Sequence, residues 1–220
     1  MMLFPIKNPV LAQLFRIHRS AINETLEFNE SNERLEFLGD AVLELAVSNY
    51  LFGALPQEAE GMLTALRSAM VKTQTLATLA RQCEIGNLLY MSKGEEKSGG
   101  RENESILADT FEAYLGALYL DQGYEIVEKF LSINLFPLLE EIQQKQLHKD
   151  YKSLLQEQLQ SAHQSPPIYS VINEEGPDHH KTFTVAVQIN HQLVAEARGR
   201  TKHEAQEAAA KTALERMKKT

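Results

Sequence analysis

The spacing of apolar residues changes character near residue 148, and one uniform architecture cannot satisfy both patterns. Before that point LEFLGDAVLELAVSNYLF, LTALRSAMVKTQTLATLARQ, ESILADTFEAYLGALYLDQG and YEIVEKFLSINLFPLLEEIQ repeat apolar residues every three or four positions, the period of an α-helix. Breaks fall at Leu55-Pro56, at Gly86-Asn87, in the polar stretch GEEKSGGRENE and at Asp121-Gln122-Gly123. After it, DYKSLLQEQLQSAH reads as a helix that Pro166-Pro167 cannot continue. IYSVIN is extended, EEGPDHH is a turn, and KTFTVAVQI alternates with Phe183, Val185, Val187 and Ile189 on one face. Asn190-His191-Gln192 connects tightly to a third strand, LVAEARG. The last segment, TKHEAQEAAAKTALERMKK, is a helix whose inner face carries Ala205, Ala208, Ala209, Thr212 and Ala213. The pattern predicts a multidomain chain: an all-α domain over 1–147, then a small α+β module over 148–220 in the order α-β-β-β-α, joined by the linker QQKQLHKD.

Charge divides at the same place. The net charge of −8 is the wrong sign for a chain that binds nucleic acid along its whole length. Up to residue 148 there are 12 Lys and Arg against 21 Asp and Glu, a balance of −9; from Lys149 onward there are 10 against 9, a balance of +1. The acidity therefore belongs to the helical part, where carboxylates serve as solvated surface or as cation ligands. No run of eighteen apolar residues is present, so no membrane partner is expected, and the N-terminal stretch lacks the layout of a signal peptide. The single cysteine, Cys83, cannot form an internal disulfide, and its setting in TLATLARQCEIG is that of a small buried hydrophobe. A cytoplasmic location is expected on these grounds.

The acids are not scattered. In Asn32-Glu33-Arg34-Leu35-Glu36-Phe37-Leu38-Gly39-Asp40, helical geometry puts Glu33, Glu36 and Asp40 on one face, among Leu35, Phe37, Leu38 and Val42. Gly39 in mid-helix costs about 1 kcal/mol against alanine, which calls for something that approaches the backbone closely there. Asp109 and Glu112 repeat the i, i+3 spacing in SILADTFEAYLGALYLD, again wrapped by apolar residues. Two such helices either carry solvated acidic faces or share a site of four self-repelling carboxylates. Hard oxygen donors of that kind suit Mg²⁺, with Mn²⁺ as a substitute. A pair of these ions roughly 3.5–4 Å apart is the arrangement that hydrolyses phosphodiesters. A di-iron bundle needs Glu-x-x-His, and the positions three after Glu36 and Glu112 are Gly39 and Leu115. GEEKSGG lacks the phosphate-loop pattern, and no organic cofactor is expected. The stretch reads first as a flexible connection, with contact between Lys97 or Arg101 and RNA as the alternative; His18 reads as a packing residue.

NERLEFLGDAVLEL resembles the signature of the ribonuclease III family. EGMLTALRSAMV, KSGGRENESILADTFEAYLGALYLD and the HRS at 18–20 are similar to further blocks of that family, in the same order. The resemblance implies a homodimeric endonuclease, paired through its catalytic domain, that cuts double-stranded RNA into products with 5′-phosphates and short 3′ overhangs. It matches Glu36, Asp40, Asp109 and Glu112 to metal-binding acids, with Asp40 and Glu112 the two whose loss most directly abolishes cleavage. Glu33, Glu60 and Glu95 match supporting acids. The implied work is maturation of ribosomal RNA precursors and processing of structured messages. The alternative is a regulator that holds duplex RNA without cutting it.

The second module resembles a double-stranded-RNA-binding domain, a fold that reads two minor grooves and the phosphates between them by shape. On that resemblance Glu157 faces one minor groove and His179, in Gly176-Pro177-Asp178-His179, the other. The phosphate contact departs from the family pattern: where three lysines are usual, this chain has Lys202, His203 and Gln206. Fewer fixed charges imply weaker and less salt-sensitive binding. A histidine, charged only below about pH 6.5, implies affinity that rises on acidification.

Overall fold

The computed structural model describes residues 2–22, 24, 28–148, 150–176 and 181–217. Its contacts divide the chain into two compact units, Met1–His148 and Lys149–Thr220.

Among the described residues the first unit contains helices and no named strand. In chain order they are α1 (Pro9–Leu14), α2 (Arg19–Ile22), α3 (Glu33–Ala54), α4 (Glu60–Val71), α5 (Thr73–Gln82), α6 (Ile85–Leu88), α7 (Lys93–Lys97), α8 (Glu104–Gln122), α9 (Tyr124–Asn134) and α10 (Leu138–Gln144). The stretch read as a polar break, GEEKSGGRENE, is instead α7 followed by a 3₁₀ turn at Gly100–Glu102. The Ser92 side chain caps α7 by accepting from the Glu95 amide at 3.0 Å. Arg101 donates to the carbonyls of Gly86 and Leu89 at 2.8 and 3.0 Å and meets Glu96 at 2.7 Å, so it is a structural tie. The break expected at Gly86-Asn87 lies within α6; the chain turns earlier, at Glu84, in the left-handed region with φ 56°.

The core forms around α8, eleven of whose nineteen residues are buried. A helix apolar on most sides is an interior element, and α3 packs along it more extensively than any other partner. Tyr114 of α8 anchors an aromatic cluster, edge-on to Phe15 at 5.6 Å and Phe130 at 5.2 Å. Its hydroxyl donates to the Phe4 carbonyl and accepts the Phe4 amide, at 3.1 and 2.8 Å. The carboxylate of Asp121 then accepts the amides of Lys7 and Asn8, which straps the N-terminal segment along α8. Cys83 is buried, and burial pushes its thiol up to about 11, which leaves it unreactive near neutrality.

The second unit is α11 (Tyr151–Ser161), strands β1 (Ile168–Glu175), β2 (Thr182–Ile189) and β3 (Gln192–Gly199), and α12 (Lys202–Met217). The sheet is antiparallel in the order β1-β2-β3. Val185, Val187 and Ile189 of β2 face a core completed by Leu155 and Leu159 of α11 and by Ala205, Ala209, Ala210, Ala213 and Leu214 of α12. The α12 face is thus rotated slightly from its expected position, because Ala210 and Leu214 are buried while Ala208 and Thr212 are half-buried. A capping box starts α12: the Thr201 hydroxyl accepts the Glu204 amide at 3.0 Å, and the Glu204 carboxylate accepts the Arg200 amide at 2.8 Å. Asn190 and His191, both with positive φ, make the two-residue β2–β3 turn. Among the described residues no helix is long and apolar enough to cross a membrane.

Candidate metal centre and nucleic-acid interface

The site of the first unit lies where α3 and α8 cross. A Cβ placed on Gly39 would lie 1.8 Å from the Glu112 carbonyl oxygen, and one on Gly116 would lie 2.2 Å from the Leu35 carbonyl oxygen. Real Cβ atoms do not approach so closely, so these two glycines let the helix backbones touch. Contact at that distance brings the acidic face of α3 against that of α8. One carboxylate oxygen each from Glu36, Asp109 and Glu112 lie within 4.8 Å of one another.

The three carboxyl groups are all held above their ordinary pKa. Burial first, and then the charges of Asp40, Asp109, Glu36 and Glu44, push Glu112 up to about 8. Burial, followed by Asp109 and Glu33, raises Glu36. Asp109 is raised by burial against the pull of His18 and Arg19. Three converging oxygen donors that resist joint ionisation fit a hard divalent ion, which would offset the repulsion. Asp40 is exposed and stands outside this trio, although its charge is the largest carboxylate influence on Glu112.

A cavity of about 370 Å³ opens beside the trio, lined in part by Glu36, Asp109, Glu33, Glu95 and His18. Glu33 is exposed; it accepts from the Ser31 hydroxyl at 2.7 Å and stands 3.8 Å from Arg19. Glu95 enters the cavity from the first turn of α7. Glu60 does not join them. It lies at the start of α4 and lines a separate cavity of about 270 Å³ with Ser48, Phe52 and Arg67.

His18, read from the sequence as a packing residue, stands on the wall of the first cavity. Its ring shares a 2.8 Å hydrogen bond with Ser20, and burial lowers its pKa. The placement depends on distant contacts: the His18 amide donates to Tyr90 at 3.0 Å, and the Ser92 amide donates to Ser20 at 2.9 Å. Buried Asn32 ties the same loop to the start of α3 by donating its side-chain N–H to Phe15 and its amide to Ile17. The sequence signal for a cavity-lining role was the HRS tripeptide, which spacing alone does not connect to Asp109.

In the second unit, Glu157 is exposed on α11, and Lys202, His203 and Gln206 occupy the first turns of α12. Lys202 sits 3.1 Å from Glu174, a β1 carboxylate that also meets Lys181 at 3.3 Å. These two lysines hold the Glu174 carboxyl below its usual range. Gln206 accepts from the Lys152 ammonium at 2.8 Å. The expected contact at His179 lies outside the described residues.

A helical domain with a convergent, partly exposed carboxylate trio, followed by an α-β-β-β-α module, is the layout of a two-part ribonuclease. The Ribonuclease-III-like family model matches residues 8–139, and the double-stranded RNA binding motif matches residues 151–217. The chain is 52% identical over 185 residues to ribonuclease 3 of Pelotomaculum thermopropionicum, covering 84% of this chain and 77% of that one. It is 48% identical over 200 residues to ribonuclease 3 of Streptococcus gordonii, with 90% and 86% covered. The nuclease domain of ribonuclease III from Campylobacter jejuni superimposes with a TM-score of 0.56 at 38% identity, covering 61% of this chain and 92% of that domain. The chain belongs to the ribonuclease III family and is an endoribonuclease.

Proposed function

We propose that this chain is a homodimeric, Mg²⁺-dependent endoribonuclease that hydrolyses phosphodiesters of double-stranded RNA. The observation that carries the reading is the convergence of Glu36, Asp109 and Glu112 at a backbone contact between α3 and α8. Mn²⁺ has the same ligand preference and would substitute. The catalytic unit is assigned to 1–147 and the RNA-binding unit to 148–220. A cytoplasmic location and work on ribosomal RNA precursors and structured messages complete the proposal.

Glu36, Asp109 and Glu112 would hold the ions, with Asp40 at the rim completing the set. When bound, the ions supply positive charge to the scissile phosphate and lower the pKa of an attacking water. Glu33 and Glu95 shape the cavity entrance, and Arg19 brings a positive charge beside it. Water oxygen attacks phosphorus and the P–O3′ bond breaks. One fragment keeps a 3′-hydroxyl and the other a 5′-phosphate. Two such sites in a dimer, each cutting one strand, would leave short 3′ overhangs.

Support for a second copy as partner comes from α3. Phe37, Leu45 and Phe52 fall on one side of that helix and are 81%, 58% and 75% exposed. Such an apolar stripe on the outer side of a helix that packs against the core is the mark of an interface. The Campylobacter jejuni nuclease domain is described with a region involved in dimer formation.

The test is cleavage of a labelled RNA hairpin with and without Mg²⁺, the parent beside Glu112→Gln. Cleavage only with metal, and a variant that binds but does not cut, supports the reading. A parent that binds duplex RNA yet cuts under no divalent ion is the non-cleaving regulator instead.

A further inference from the structure

Lysines on a protein surface usually wander or pair with carboxylates. Lys202 at the start of α12 and Lys181 just before β2 follow the second pattern, since both lie within ion-pair distance of Glu174. Lys152 follows neither. It projects from the first turn of α11, and its ammonium donates to the neutral Gln206 side chain at 2.8 Å. The same ammonium lies 5.4 Å from the centre of the Tyr169 ring, a second contact that fixes its position. Among the described residues no carboxylate lies within ion-pair distance of it. The result, among the described residues, is a cation held by two neutral partners.

Its position also has meaning. Gln206 follows Lys202 by four residues and His203 by three, so all three occupy one face of α12 at its N-terminal end. Gln206 carries no charge, yet the amide draws the Lys152 ammonium to that face. The charge missing from α12 is thus supplied from α11 across a single hydrogen bond. Polyanion backbones are bound by such cations held in register with backbone amides at a helix start.

We propose that Lys152 is a phosphate-contacting residue of the RNA-binding module, presented by Gln206 beside Lys202 and His203. The inference rests on the double-stranded-RNA-binding reading of the module and extends it to a residue outside the expected set. Gln206 acts through Lys152 and is a positioning residue.

The experiment uses the full chain in EDTA, so that RNA is bound without being cut. A labelled duplex longer than the roughly 16 base pairs such a module spans is titrated between 50 and 200 mM salt. Lys152→Gln is expected to lower affinity about three- to tenfold and to make the slope of log K against log salt shallower by about 0.9. Lys152→Arg should keep the slope. Gln206→Glu should reproduce the loss, because the new carboxylate cancels the charge. If Lys152→Gln changes the unfolding temperature but leaves affinity and slope at parent values, the contact is structural and the proposal is overturned. A parent that shows no preference for duplex over single-stranded RNA overturns the reading of the module itself, which is a different result.

Discussion

Gly39 of α3 sits so close to Glu112 of α8 that a Cβ on the glycine would lie 1.8 Å from the glutamate carbonyl oxygen. Glu112 therefore supplies both a site carboxylate and the backbone carbonyl that Gly39 meets. Gly39→Ala must push α3 away from α8 or unfold that turn, and should cost about 3 kcal/mol or more. Gly53→Ala lies on the same helix with nothing within 4 Å of its added Cβ. It should be neutral or stabilise by up to about 1 kcal/mol, the ordinary helix-propensity gain. Urea denaturation of both variants checks the contrast, and equal effects would remove the argument.

Glu112 links the site to pH. Its folded-state pKa, near 8, lies above the ordinary carboxylate value. The protonated form is therefore favoured on folding, and stability contributed at low pH is lost as pH rises from about 4.5 through 8. Metal-free protein should lose thermal stability over that window, and Mg²⁺ should restore more of it at pH 8 than at pH 5. Glu112→Gln without metal should melt several degrees above the parent at pH 8 and show a flatter profile. Thermal scans in EDTA and in Mg²⁺ read all three outcomes.

The Tyr114 hydroxyl is 1% exposed as a residue and bonds both backbone groups of Phe4. Tyr114→Phe keeps the aromatic packing but leaves those groups without a partner. A loss of about 1–3 kcal/mol is expected. Limited proteolysis should then cut the N-terminal segment faster than in the parent, which distinguishes a released strap from general unfolding.

Asn190 and His191 form the β2–β3 turn with φ of 51° and 63°. Two consecutive left-handed residues suit Asn-Gly better than Asn-His, because glycine has no Cβ to strain. His191→Gly should stabilise the second unit by roughly 0.5–1 kcal/mol, less the entropy the glycine adds to the unfolded chain. Calorimetry on the full chain should show the later or earlier of its transitions shift alone.

At the start of α12 the two departures from the lysine pattern should behave differently. His203→Lys adds a fixed charge and should steepen the salt dependence of RNA binding by about 0.9. Gln206→Lys also removes the acceptor of Lys152 and sets two ammonium groups together, so its gain should be smaller. Equal gains from the two would count against the coupling.

Much of this was legible in the residues. The switch from helical to alternating spacing separates the helical unit from the α+β unit, because 100° and 180° per residue are local properties of the backbone. The same arithmetic puts Glu33, Glu36 and Asp40 on one face of α3, and Asp109 and Glu112 on one face of α8. The penalty for glycine in mid-helix marked Gly39 as a place of close approach, which is what it is. Other features were beyond local rules. His18 reaches the cavity wall through bonds to Tyr90 and through Ser20 to Ser92, more than seventy residues away. Glu60 and Glu95 looked alike in the sequence, yet they line different cavities.

What the sequence determined by itself is which residues share a face of each element, because a side chain's direction follows from its position along a helix or strand. Only the tertiary structure decided which atoms meet. The depth of Glu112, its rise to about 8, the exclusion of Asp40 from the close trio and the hydrogen bond from Lys152 to Gln206 all depend on how near two elements lie. Desolvation and Coulomb repulsion act through distance in space, and distance along the chain carries no record of it.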